Sequence, residues 1–179
     1  MKNDFFRIHA LFTRTTNQSP CLHEILATGG VYGLDKGEEK MKLIKNIDVY
    51  APEPLGKKDV LILGDKIAKI EEAGGMPEIP FLLPEDVIDG SDRILTPGFI
   101  DCHVHVLGGG GEGGFANRTP EATVEGMTRF GVTTVVGCLG TDGIGRDMCA
   151  LVAKTKGLNE QGMSAYCYTG SYQIPVRTL

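Results

Sequence analysis

The stretch Pro97-Gly98-Phe99-Ile100-Asp101-Cys102-His103-Val104-His105 decides how this chain is read. Its apolar and β-branched residues predict a strand over 99–106, and side chains two apart on a strand share a face. His103 and His105 therefore point the same way, with Asp101 on the same face. Two imidazoles so placed can ligate one ion. Cys102 and Val104 fall on the opposite face, so Cys102 is not counted as a ligand. Paired histidines also occur as half-buried core residues. A metal is favoured by the glycines next in the chain, Gly108 to Gly111 with Gly113 and Gly114, because consecutive glycines are entropically costly and suit places where main chain must approach another group closely.

Downstream the pattern alternates. A helix is expected over 120–130, with Thr119 as N-cap, Pro120 at the first helical position and Gly131 at the stop. An apolar strand over 132–139, a glycine-rich loop, a helix over 146–158 and a strand over 163–169 come next. The order is β-α-β-α-β, with strand ends about thirty residues apart, the size of successive βα units. Parallel strands are implied, in either a barrel or a doubly wound sheet. Both architectures place their sites at strand C-terminal ends, where the polar residues of all three units lie.

Upstream, regular patterning begins at Met41, where Leu43, Ile44, Ile47 and Val49 precede a Pro/Gly turn over 52–56. Runs over 60–63 and 66–70 flank Gly64-Asp65 and read as a hairpin. A further short strand is expected over 87–89. Residues 41–93 thus form a small β-layer that needs a partner surface. Residues 1–40 show neither strand nor helix period and form an unmatched extension. The run Lys36-Gly37-Glu38-Glu39-Lys40 is what a purine-rich ribosome-binding site would encode in frame, so the true start is expected at Met41.

Composition bounds the function classes. The chain has 179 residues, 41% of them hydrophobic, enough for a packed domain. Its net charge of −5 offers no electrostatic footprint for nucleic acid or an anionic membrane. No stretch reaches the ~20 apolar residues of a membrane span, and Lys2, Asp4, Arg7 and His9 interrupt any leader-like apolar run. Five cysteines, Cys21, Cys102, Cys138, Cys149 and Cys167, lack CxxC spacing. A cytoplasmic protein with a small-molecule partner is expected.

The motif from Pro97 to His105, preceded by a small β-layer, resembles the amidohydrolase superfamily. Further residues resemble the isoaspartyl dipeptidases within it: Gly108 to Gly114 around Glu112, Arg118-Thr119-Pro120-Glu121, Gly131 to Gly137, Gly140-Thr141-Asp142 and Thr169-Gly170-Ser171-Tyr172. The resemblance runs from Met41 to Leu179. It implies an α/β fold, the first βαβαβ portion of a TIM-type (β/α)8 barrel over 94–179 behind a partial β-sandwich domain.

The same resemblance implies function residue by residue. His103 and His105 would bind the more buried of two zinc ions, and a bridging water or hydroxide would attack the amide carbonyl. Other divalent ions are open alternatives. Glu112 matches the residue that receives the substrate's free α-amino group. The Gly110 backbone and Thr141 match the positions that hold the α-carboxylate, and Tyr172 the hydroxyl that assists the oxyanion. Asp142 is read as a cap of the following helix and Asp101 as an orienting group. Thr133, Thr134, Val135 and Val136 are read as packing.

A complete barrel takes ~250 residues, and only three strand units fit after residue 94. The bridging lysine, two further histidines, the leaving-residue arginines and the catalytic aspartate of the family come later. The chain is therefore expected to be an inactive N-terminal fragment of an enzyme that is a homo-oligomer when complete. Two alternatives stand: a cyclic amidase or N-acyl deacetylase of the same superfamily, and a short chain with no catalytic role.

Overall fold

The computed structural model describes the backbone of His9–Arg14 and Ile25–Ala27, together with residues 41–64 and 66–179. The expected extension over 1–40, with His23 and Cys21, otherwise lies outside the described residues. Two compact units divide between Gly98 and Phe99.

The first unit contains strands β1 (His9–Arg14), β2 (Ile25–Ala27), β3 (Met41–Tyr50), β4 (Pro54–Leu63), β5 (Lys66–Glu72), β6 (Val87–Asp89) and β7 (Arg93–Pro97). They form one mixed sheet in the order β2-β1-β7-β3-β4-β5, with β6 also paired to β3. The expected hairpin is β4–β5, closing from Leu63 opposite Lys66; its turn residue Asp65 lies outside the described residues. Two short strands stand inside the segment for which no pattern was expected, β1 running antiparallel to β7 and β2 antiparallel to β1.

The core of this unit is Ile44, Ile47, Val49, Val60, Ile62 and Leu95. Strict alternation on β3 is interrupted between Ile44 and Ile47, where the pairing with β4 shifts. Asn46 takes a left-handed φ of 57° there, a conformation that Asn tolerates better than most residues. The buried Asp59 carboxylate stabilises the irregularity by accepting from Asn46 N at 2.9 Å and from Gly74 N at 3.0 Å.

The second unit contains β8 (Phe99–Val104), α1 (Val124–Thr128), β9 (Val132–Gly137), α2 (Met148–Glu160) and β10 (Ser164–Cys167). The strands are parallel in the order β10-β9-β8, as the β-α-β-α-β pattern implies, each ending two residues short of its expected end. Val106, Leu107, Val135, Met148, Leu151, Leu158, Met163 and Ala165 form the core. The Asn159 amide joins the end of α2 to β10, donating to Thr155 O and Ala165 O and accepting from Ala165 N.

Two expectations are corrected. The helix expected over 120–130 is α1 alone, and its cap is Thr123, whose Oγ1 accepts from Gly126 N at 3.0 Å. The preceding turn is not free to join the helix because its backbone is bonded elsewhere: Thr119 N donates to Gly109 O and Ala122 N to Val106 O. Likewise Asp142 does not cap α2. That role falls to Asp147, whose Oδ1 accepts from Ala150 N at 2.8 Å.

Candidate metal and substrate site

Every residue of the second unit to which chemistry was assigned lies at or beyond a strand C-terminus. His103 is on β8, and His105 follows its last residue. Their rings meet edge to face at 82°, with centroids 5.4 Å apart. The Asp101 Oδ1 accepts from the backbone N of His103 at 3.1 Å and so fixes the strand end. His105 is half-buried between two glycines. A Cβ on Gly140 would stand 3.2 Å from its Nδ1, and one on Gly109 3.7 Å from its Cδ2.

Cys138 joins the pair. Ligand atoms of His103, His105 and Cys138 all lie within 4.8 Å of one another. The thiol is 3.7 Å from His105 Nδ1 and 3.7 Å from Val104 O. Burial raises the Cys138 pKa above the ordinary thiol value, and the nearby Asp101 charge adds to that shift. Two imidazoles and a sulfur are donors suited to zinc or cobalt rather than to magnesium or calcium, so the side chains fit the kind of metal that the resemblance implies. Cys138 was missed from the sequence. The register that pairs Val104 with Gly137 sets the next residue of each strand, His105 and Cys138, side by side.

The glycine run after His105 is tied down from several directions. Gly109 N donates to Thr119 Oγ1 at 2.6 Å, and Gly111 N to Asn117 O at 2.6 Å. Arg146 spans the gap between them, Nη1 to Gly109 O at 3.0 Å and Nη2 to Thr119 O at 2.8 Å. Gly108 and Gly110 have φ of 86° and 84°, and a Cβ on either would stand within 2.5 Å of a backbone oxygen. No other residue fits at these two positions.

Asp142 closes the arrangement. Its Oδ1 accepts from Ile144 N and Gly145 N, and Oδ2 stands 2.9 Å from Arg118 Nη2, an ion pair without the alignment of a hydrogen bond. The Gly145 hydrogen bond first, then those of Ile144 and the charges of Arg118 and Arg146, hold the Asp142 carboxyl below its usual pKa, against the opposing effect of burial.

The structure brings two of the expected substrate residues together, since the Thr141 hydroxyl donates to Gly110 O at 3.3 Å. Glu112 lies in the same loop, exposed between its glycines. Tyr172 is not packed; its side chain is 71% exposed on the segment after β10. That segment is anchored one residue later, where Gln173 Nε2 donates to Gly143 O at 2.8 Å.

Comparison with known proteins bears on this arrangement. No protein-family model matches the chain. The solved structure of β-aspartyl dipeptidase from Fervidobacterium islandicum AW-1, in complex with a β-Asp-Leu dipeptide, is 46% identical with a TM-score of 0.68, covering 79% of this chain and 36% of its own. A second structure of that enzyme is 47% identical with the same TM-score, covering 78% and 37%. Among curated proteins, dihydroorotase of Staphylococcus aureus strain Mu50 is 38% identical over 95 residues, 53% of this chain and 20% of the relative. Imidazolonepropionase of Acidiphilium cryptum is 39% identical over 64 residues, 35% of this chain and 16% of the relative. The chain spans about a fifth of the length of such curated relatives and 36% of the solved dipeptidase. With the histidine pair and glycine loop at parallel strand ends, these similarities make the chain a relative of the β-aspartyl (isoaspartyl) dipeptidases, alongside other members of the amidohydrolase superfamily.

Proposed function

We propose that this chain supplies the first part of a metal-dependent hydrolase that cleaves the isopeptide bond of β-aspartyl dipeptides. The observation that carries the reading is the similarity at 46% identity to a β-aspartyl dipeptidase solved with β-Asp-Leu. The built glycine loop, with Gly110 and Thr141 joined at its base, supports it.

In this reading His103 and His105 hold one of two zinc ions. Zinc, when bound, supplies a nucleophile at neutral pH and polarises the scissile carbonyl. The chain's own residues bind and orient the substrate. Glu112, flanked by glycines, receives the α-ammonium group. The Gly110 backbone and the Thr141 hydroxyl take the α-carboxylate, the hydroxyl turning from Gly110 O to the ligand. Tyr172 donates to the oxygen on which charge develops, which requires its exposed side chain to fold inward over the substrate. The segment 94–179 would form the first three strand units of a (β/α)8 barrel, working in the cytoplasm as part of a homo-oligomer, with neither nucleic acid nor membrane as partner.

Similarity to dihydroorotase over 95 residues favours a second reading, a cyclic amidase. Glu112 argues against it, since a cyclic amide offers no ammonium group to pair with that carboxylate. A chimera decides between them: residues 41–179 replace the matching part of the Fervidobacterium enzyme, and the product is assayed on β-Asp-Leu, α-Asp-Leu and dihydroorotate. Turnover of β-Asp-Leu alone is expected. Turnover of dihydroorotate, or equal turnover of the two dipeptides, would overturn the proposal. The 179-residue chain by itself is expected to hydrolyse none of the three.

A further inference from the structure

We propose that Cys138 is the third protein ligand of a divalent metal held by His103 and His105, which gives this chain a His2Cys site of its own. The inference rests on the metal-binding part of the proposed function and is independent of the substrate.

The first argument is distance. Tetrahedral zinc, with bonds of about 2.0 Å to nitrogen and about 2.3 Å to sulfur, sets its sulfur and nitrogen ligands about 3.5 Å apart. The Cys138 sulfur stands 3.7 Å from His105 Nδ1, and the three ligand atoms span no more than 4.8 Å. An ion can therefore be taken up by small side-chain rotations. The second argument is backbone placement. Cys138 N donates to Val104 O at 2.9 Å, so the last rung of the β8–β9 ladder fixes the residue beside His105 whether or not a metal is present.

The third argument is ligand number. Zinc that keeps an open position takes three protein ligands, and of the ligands that the resemblance implies this chain carries the two histidines. Among the described residues Cys138 completes the cluster, while Cys102, on the same strand as His103, does not enter it. On ligation the S–H bond breaks, the proton passes to solvent and a sulfur lone pair forms the bond to the metal; no electron is transferred. A thiolate donor also sets selectivity, in favour of zinc, cobalt and cadmium over magnesium and manganese.

The competing geometry is a thiol that only orients His105, donating to Val104 O while its sulfur accepts from Nδ1. Cobalt(II) titration of the reduced 179-residue chain separates the two. The native chain should bind one cobalt with visible d–d bands and a near-ultraviolet sulfur-to-cobalt charge-transfer band. Cys102→Ser and Cys149→Ser should retain that band. Cys138→Ser should lose it and bind cobalt at least about tenfold more weakly, the lower bound set by losses of groups that merely orient a ligand. Persistence of the band in Cys138→Ser would overturn the proposal. So would cobalt bound by the native chain with d–d bands alone, an outcome that leaves the histidine pair as a metal site. Absence of cobalt from a chain folded by circular dichroism would overturn both. If Cys138→Ser fails to fold, zinc-edge X-ray absorption of the native chain takes its place: a sulfur at bonding distance is expected, and nitrogen and oxygen neighbours alone would sink the idea.

Discussion

The buried carboxylate of Asp142 stands 2.9 Å from the guanidinium of Arg118 and ties the loop after β9 to the far end of the glycine loop. Because the Asp142 pKa is lowered in the folded chain, its contribution to stability is present above the unfolded carboxylate pKa and lost as pH falls through the folded one. Asp142→Asn is expected to lower the urea midpoint at neutral pH. The gap to the native chain should then narrow below the ordinary carboxylate range. A gap that is constant from neutral to strongly acid pH would show that the charge has no part in holding the loop.

Glu112→Gln, made in the dipeptidase chimera, should raise KM for β-Asp-Leu about ten- to a hundredfold. That is the value of a charge-assisted hydrogen bond of about 1.5–3 kcal/mol. Bound metal, measured by inductively coupled plasma spectrometry, should not change. Loss of metal from this variant would mean that Glu112 serves the ion and not the ammonium group.

Gly140→Ala places a methyl group 3.2 Å from His105 Nδ1 and 3.3 Å from Cε1, so the ring must yield by a few tenths of an ångström. Zinc affinity, read by competition with a chelator, is expected to fall about tenfold, as it does when a ligand is misoriented. Unchanged affinity would mean that the ring has room to move without cost.

The N-terminus of α2 gives a test of capping that does not touch the site. Asp147→Ala should cost about 1 kcal/mol. Gly157→Ala, in the same helix with nothing within 4 Å of its new Cβ, should gain about 0.5–1 kcal/mol. Denaturant melts of the two variants should therefore move in opposite directions, and a shared direction would contradict the assigned cap.

What was legible in the sequence is what local periodicity encodes. Alternation on β9 and the i, i+2 placement of His103 and His105 needed only the strand period, whereas α1 ends at Thr128 with Arg129 as its C-cap, short of the glycine expected to stop it. Other features depended on residues distant in the chain. Thr119 and Pro120 look like a helix start, yet the backbone there is bonded to Gly109 and Arg146, so Thr123 caps α1. Asp142 precedes α2 as a cap would, but its nearest donors are Ile144, Gly145 and Arg118. Cys138 entered the cluster through strand register, which no single strand reveals.

Parallel order β10-β9-β8 leaves β9 flanked on both sides among the described residues, while β8 and β10 each present one side with no neighbouring strand. Phe99 and Ile100 on β8 and Tyr166 on β10 are correspondingly solvent-facing. Amide protons should record this as a hierarchy. Those of β9, bonded to one neighbour or the other with Thr133 and Val135 buried beneath, can exchange with deuterium only when the whole sheet opens. Those on the outer sides of β8 and β10 exchange without such an opening. Deuterium uptake across Val132–Gly137 is therefore a clock for the slowest motion of this unit, and a metal bound where β8 and β9 end should slow it.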